Sequence, residues 1–187
     1  MKQTYIALLR GINVGGRNKL PMATLREIVT RVGGDAVQTY IQSGNVVFQA
    51  DHEVEHLADA LRRGIADTQG LDIPIVLLKG DEFRTLLGKN PFLTVAQESA
   101  EEDEVDIKTL HVGFLADSPT GEQIAGLNPD HSPPDSFHVA GRAVYLRYPK
   151  GLARSKLTNA YFDRRLQTVC TVRNWKTCLK LLEMLEN

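Results

Sequence analysis

One order of elements is written twice along this chain, and few folds accommodate it. Residues 4–9 are an apolar run too short for a typical helix, so they predict a buried strand. Met22, Leu25, Ile28, Val29 and Val32 recur at helical spacing and stop at Gly33-Gly34, which predicts a helix over residues 22–32. Residues 37–41 and 46–49 are β-branched or aromatic runs flanking Gln42-Ser43-Gly44-Asn45, the pattern of a hairpin. Behind Asp51, read as an N-cap, Val54, Leu57, Ala58, Leu61 and Ile65 mark a second helix, and residues 73–78 a further strand. The order is βαββαβ. A short helix over residues 81–87 ends at Asn90-Pro91. The order then returns: a strand at 107–115, a short helix at 119–127, strands at 136–139 and 143–148 joined by Ala140-Gly141-Arg142, a helix at 157–166 and a strand at 168–172. A helix from Trp175 through Cys178, Leu179, Leu182 and Leu185 is left over. The repetition is one of pattern, not of residues. Each unit folds most simply as a four-stranded antiparallel sheet with two helices on one face. The expected class is therefore α+β, two linked ferredoxin-like βαββαβ units with an extra C-terminal helix.

The two units are expected to divide at an acidic run. Glu98, Glu101, Glu102, Asp103, Glu104 and Asp106 carry no apolar period, so residues 97–106 read as a solvated linker between an N-terminal unit, 1–96, and a C-terminal unit with the closing helix, 107–187. The net charge of −1 hides a segregation. Residues 1–50 carry +4, 51–106 −9, 107–141 −3, 142–180 +9 and the last seven −2. Such segregation makes local positive fields on a near-neutral chain, and it is unlike the basic footprint of a whole nucleic-acid-binding domain. With 42% hydrophobic and 24% charged residues the composition excludes disorder. The N-terminal apolar run is too short for a signal-peptide core or a membrane span, so a cytoplasmic protein without a membrane partner is expected. Cys170 and Cys178 lack zinc or redox spacing and read as buried free thiols.

The chemistry-bearing stretches concern anions. After the first strand, Arg10, Gly11, Asn13, Gly15 and Gly16 form a glycine-rich basic loop running to Arg17 and Lys19, and a helix starting after Pro21 adds its positive end. The loop meets neither the Walker nor the dinucleotide spacing. Ser43 and Asn45 offer polar contacts at the hairpin. Lys150, Ser155 and Lys156 lead into one helix, with Ser155 as its expected cap, and Arg173, Asn174 and Trp175 into another, with Asn174 as cap. Both place cations where a helix start already favours an anion, and an Arg fork holds phosphate or carboxylate with two parallel bonds. Arg10, Lys156 and Arg173 are expected to face one cleft. His52-Glu53-Val54-Glu55-His56 satisfies the zincin spacing, but it falls in an exposed first turn without a third ligand, so no metal is expected. His111 and His138 fall on strands and read as structural.

The stretches Leu8-Leu9-Arg10-Gly11-Ile12-Asn13-Val14-Gly15-Gly16, Thr39-Tyr40-Ile41-Gln42-Ser43-Gly44-Asn45-Val46-Val47-Phe48, Asn90-Pro91-Phe92, Pro149-Lys150-Gly151 leading to Ser155-Lys156-Leu157, and Thr171-Val172-Arg173-Asn174-Trp175-Lys176-Thr177 resemble together the bacterial family of domain of unknown function 1697. The resemblance implies linked ferredoxin-like units, in agreement with the repeated pattern. It implies no activity, catalytic residue or cofactor. The residues themselves leave three readings: a small phosphorylated or carboxylated ligand, single-stranded nucleic acid on a sheet, or an interaction module without ligand. No nucleophile with a base emerges, so enzyme status and oligomeric state stay open, and no cofactor is expected.

Overall fold

In the computed structural model, which describes residues 2–51, 53–93 and 106–186, the chain divides into two units, Met1–Arg84 with Leu181–Asn187 and Thr85–Lys180. The first holds β1 (Gln3–Leu9), α1 (Met22–Arg31), β2 (Asp35–Tyr40), β3 (Asn45–Ala50), α2 (Val54–Gln69) and β4 (Ile75–Lys79). Its strands pair antiparallel throughout in the order β2-β3-β1-β4, the ferredoxin-like arrangement. Alternation along the strands explains which face carries the helices. Tyr5 and Ala7 stand opposite Phe48 and Val46 on one side, Ala7 and Leu9 opposite Leu77 and Ile75 on the other, and they form one core with Leu25, Ile28 and Val29 of α1 and Leu57, Leu61 and Ile65 of α2. Each large aliphatic side chain so buried contributes roughly 1.5–3 kcal/mol. The alternate residues Ile6, Leu8, Val47, Val76 and Leu78 are also buried. α2 ends where Gly70 turns left-handed and its N–H donates to the Ala66 carbonyl.

α3 (Gly80–Gly88) and α6 (Trp175–Met184) each contribute residues to both units. The second unit repeats the order with β5 (Leu110–Leu115), α4 (Gly121–Ala125), β6 (Ser136–Ala140), β7 (Ala143–Arg147), α5 (Asn159–Leu166) and β8 (Cys170–Asn174), and its sheet runs β6-β7-β5-β8, again antiparallel. Leu115, Val144, Leu146, Tyr148 and Cys170 pack against Tyr161, Phe162 and Leu166 of α5. Two buried phenols reach backbone acceptors: Tyr145 donates to Leu86 at 2.7 Å and Tyr148 to Leu157 at 2.9 Å. Burial pushes the Tyr145 phenol up to about 12. Both cysteines are free and buried, and burial pushes the Cys178 thiol up to about 12, which makes it inert.

Several local expectations need correction. α2 is capped by Glu53 without a side-chain hydrogen bond, not by Asp51. Residues 107–109 form a 3-10 turn capped by Asp106, and the strand begins only at Leu110. α5 starts at Asn159 under Thr158, whose hydroxyl accepts from the Tyr161 N–H; Ser155 Oγ is taken by the Leu157 N–H two residues ahead of it. Most of the acidic run, and His52 of the His-Glu-x-x-His motif, lie outside the described residues. His56 is exposed on α2.

His111 on β5 carries a pH consequence. Its Nδ1 donates to the Thr109 carbonyl at 3.3 Å and its ring meets Tyr148 edge-on at 5.0 Å. Burial is the larger influence and lowers its pKa below the usual 6.5. The unfolded chain therefore binds the proton first, so the contribution of neutral His111 is complete above about pH 6.5 and is lost as pH falls through the lower, folded pKa. The melting temperature is expected to fall between pH 7 and pH 5 more steeply in the wild type than in His111→Gln. Equal slopes would contradict this.

Candidate functional site

At one end of the first sheet the chain leaves β1 as a small ordered hairpin. Leu9 donates to the Gly44 carbonyl and Arg10 to that of Pro74, so β1 ends pinned on both sides. Val14 and Arg17 then pair across Gly15 and Gly16, both at positive φ, 58° and 75°. Two successive left-handed residues are what a tight two-residue hairpin demands, and glycine adopts them without strain. Asn13 and Asn18 are left-handed as well, and each ties the loop: Asn18 Nδ2 donates to Gly11 O, while Asn13 Nδ2 donates to Leu20 O and Gln42 O and its Oδ1 accepts from the Leu20 N–H. Nothing lies within 4 Å of where a Cβ would stand at Gly11, Gly15 or Gly16, so this face of the loop is open.

The neighbouring turn, residues 41–44, is strained at Ile41, a β-branched residue at φ 47° with its side chain exposed. Asn45 is not at the tip. It begins β3, is fully buried, and gives its amide to the Tyr40 carbonyl and Ser43 Oγ.

Between loop and turn lies a depression of about 500 Å³ lined by Asn13, Gly16, Lys19, Leu20, Pro21, Met22 and Gln42, so α1 starts at its wall. The N-cap is Pro21, no side chain caps the helix, and its first turn holds no acidic residue. The first amides of a helix have no intrahelical partner and carry its positive end. Thr120, Thr158 and Asn174 cap α4, α5 and α6 with side-chain hydrogen bonds, and α3 opens with Asp81 and Glu82; α2 also lacks a side-chain capping bond, but its N-cap residue is the acidic Glu53. Sequence reasoning marked Lys19 as a cation of the loop and Pro21 as a helix start but missed Leu20 and Gln42 as walls of this depression; Gln42 arrives only through the β2–β3 turn.

The expected residues thus fall into two groups. Arg10, Gly11, Asn13, Gly15, Gly16, Ser43 and Asn45 share one end of the first sheet. Lys150, Ser155, Lys156, Arg173, Asn174 and Trp175 belong to the second unit. There Lys150 and Lys156 are exposed and Trp175 is buried as a packing residue. Arg173 is half-buried on β8, its Nη1 donates to Val172 O, and burial lowers its guanidinium to about 10, still charged at neutral pH. Among the described residues no group of three or more His, Cys, Asp or Glu side chains is arranged to hold a metal ion, and no helix is long and apolar enough to cross a membrane.

Fold and loop geometry define an α+β protein of two ferredoxin-like units. A structure of the same kind is that of the conserved bacterial protein SP0830 from Streptococcus pneumoniae, 23% identical over the full length of both chains with a TM-score of 0.76, a likeness of fold. The chain belongs to the family described as protein of unknown function (DUF1697), whose sequence profile matches residues 1–145. No curated protein matches it. The matched residues include the glycine hairpin and the start of α1, whereas the Ser155 and Arg173 stretches lie beyond them.

Proposed function

We propose that the first unit binds a small phosphorylated or carboxylated molecule at the start of α1. The observation that carries this reading is the bare helix start opening on the depression beside Lys19 and the glycine hairpin. An anion seated there would complete the unsatisfied amides of the first turn, with Lys19 as counter-ion and Gln42 and Asn13 as walls. The open space before Gly15 and Gly16 leaves room for approach. Arg10, whose backbone is fixed at the root of the loop, is the second cation of this group. The reading is confined to one unit and asks nothing of Lys156 or Arg173.

A substitution that supplies the helix with its own anion separates this reading from a purely structural loop. Pro21→Asp is expected to raise the melting temperature, because a carboxylate N-cap stabilises a helix by about 0.5–2 kcal/mol. The same carboxylate is expected to abolish binding of inorganic phosphate or citrate measured by titration calorimetry. Lys19→Ala is expected to weaken it roughly 10-fold, the equivalent of about 1.4 kcal/mol. Phosphate bound equally well by wild type and Pro21→Asp would refute the assignment.

A further inference from the structure

The second unit gathers cations at one end of its sheet, and register shows which end. Leu110 pairs with Arg147, Arg147 with Ser136, and His111 with Asn174, so the start of β5, the end of β7, the start of β6 and the end of β8 lie side by side. Three of them lead into or out of a basic residue, and the segment before the fourth is bonded to one. Lys108 precedes β5, Arg147 closes β7, and Lys150 and Arg154 follow it. The Lys156 N–H is bonded to Ser132 Oγ, four residues before β6, and Lys176 follows β8 in the first turn of α6. All six are exposed, and none forms an ion pair or side-chain hydrogen bond among the described residues. Among the described residues the carboxylates at this end are fewer: Asp106, which caps the 3-10 turn, and Asp135, which accepts from Ser132 Oγ.

We infer that this end of the second unit is a contact surface for the phosphate backbone of duplex nucleic acid. Three inter-strand gaps of about 4.8 Å spread the cations over about 15 Å, enough to reach the two phosphate rails beside a groove about 12 Å wide. That spread exceeds what one small anion can use. Of the aromatic residues near this end, Tyr148 and Trp175 are buried and half-buried Phe137 is held edge-on against Phe162, so stacking on single-stranded bases has no open platform here. Contact is with phosphates only, and it is therefore independent of sequence and sensitive to salt. Ile107 and Leu152 are also exposed at this end, each beside a cation, and would suit an anionic lipid surface. Against lipid, the segments that carry them are three-residue 3-10 turns and not an amphipathic helix.

Fluorescence anisotropy of a labelled 20-base-pair DNA duplex, titrated with the full-length chain between 50 and 200 mM salt, tests the inference. If four cations engage, log K is expected to fall against log salt with a slope of about −3.6, a loss of roughly 150-fold over that range. The double variant Lys150→Ala/Arg154→Ala is expected to lower the steepness by about 1.8, a change that mere loss of fold would not mimic provided its melting temperature is kept. Arg63→Ala, at an exposed cation on α2 of the other unit, is expected to leave the slope unchanged. No binding at 50 mM salt, or a slope indifferent to the double variant, would overturn the inference. So would preference for phosphatidylserine vesicles over duplex, with the preference lost in Leu152→Ser.

Discussion

Replacing Gly44 by alanine is expected to destabilise the first unit by about 3 kcal/mol, the sum of two independent penalties. Its φ of 80° is left-handed, which an L-residue adopts at a cost of about 1–2 kcal/mol. The added Cβ would stand 2.6 Å from Leu9 Cβ and 3.0 Å from Ile12 Cδ1. Leu9 Cβ is fixed to the strand and cannot rotate away, and overpacking of this kind costs about 1–3 kcal/mol. For a unit of this size the melting temperature should fall by roughly 12–24 °C. Gly15→Ala and Gly16→Ala share the positive φ but meet open space, so each is expected to cost only about 1–2 kcal/mol. Equal losses at Gly44 and Gly15 would mean that the turn does not pack on the end of β1.

The second large effect is expected at Asn13, whose amide holds the hairpin to both Leu20, ahead of α1, and the β2–β3 turn. Asn13→Ala removes three hydrogen bonds and leaves the amide of buried Leu20 short of its acceptor, about 2–3 kcal/mol in total. Asn13→Asp keeps the acceptor but turns the donor into a carboxylate oxygen facing the Leu20 and Gln42 carbonyls, so about 3–4 kcal/mol is expected at pH 7. Those carbonyls favour the protonated acid, which can donate to one of them, and raise the pKa of the new group in the folded state. The loss is then smaller below about pH 4 and grows as pH rises through the folded pKa. Denaturant midpoints of both variants at pH 4 and pH 7 measure it. A loss from Asn13→Asp that is independent of pH would show that the side chain has left the loop.

The architecture was legible because burial imposes period on sequence. Leu25, Ile28 and Val29, or Tyr5, Ala7 and Leu9, read as one face wherever a core exists, and the element order then leaves one economical sheet topology, repeated. What stayed hidden depends on competition between neighbours. Ser155 and Thr158 are both capable caps, and the choice falls on Thr158 because its hydroxyl meets the amide three residues on while the Ser155 hydroxyl is already held by Leu157. Asn45 reads as a turn residue from its neighbours Ser43 and Gly44, yet pairing of β3 with Leu8 draws it into the core. Ile41 gives no local sign of its positive φ, since only the geometry of the turn imposes it. Of the site, the glycines and the helix start were readable, because proline at an N-cap position offers no side-chain acceptor. The wall contributed by Gln42 was not, since it comes from 29 residues further along through the bond to Asn13.

The anion site at the start of α1 is tested most directly by following backbone amide resonances while inorganic phosphate is added. The account predicts saturable shifts centred on the Met22, Ala23 and Thr24 amides, extending to Gly16, Lys19 and Gln42 and absent in Pro21→Asp. Saturable shifts that leave the first turn of α1 unmoved, or no shifts at millimolar phosphate, would contradict it.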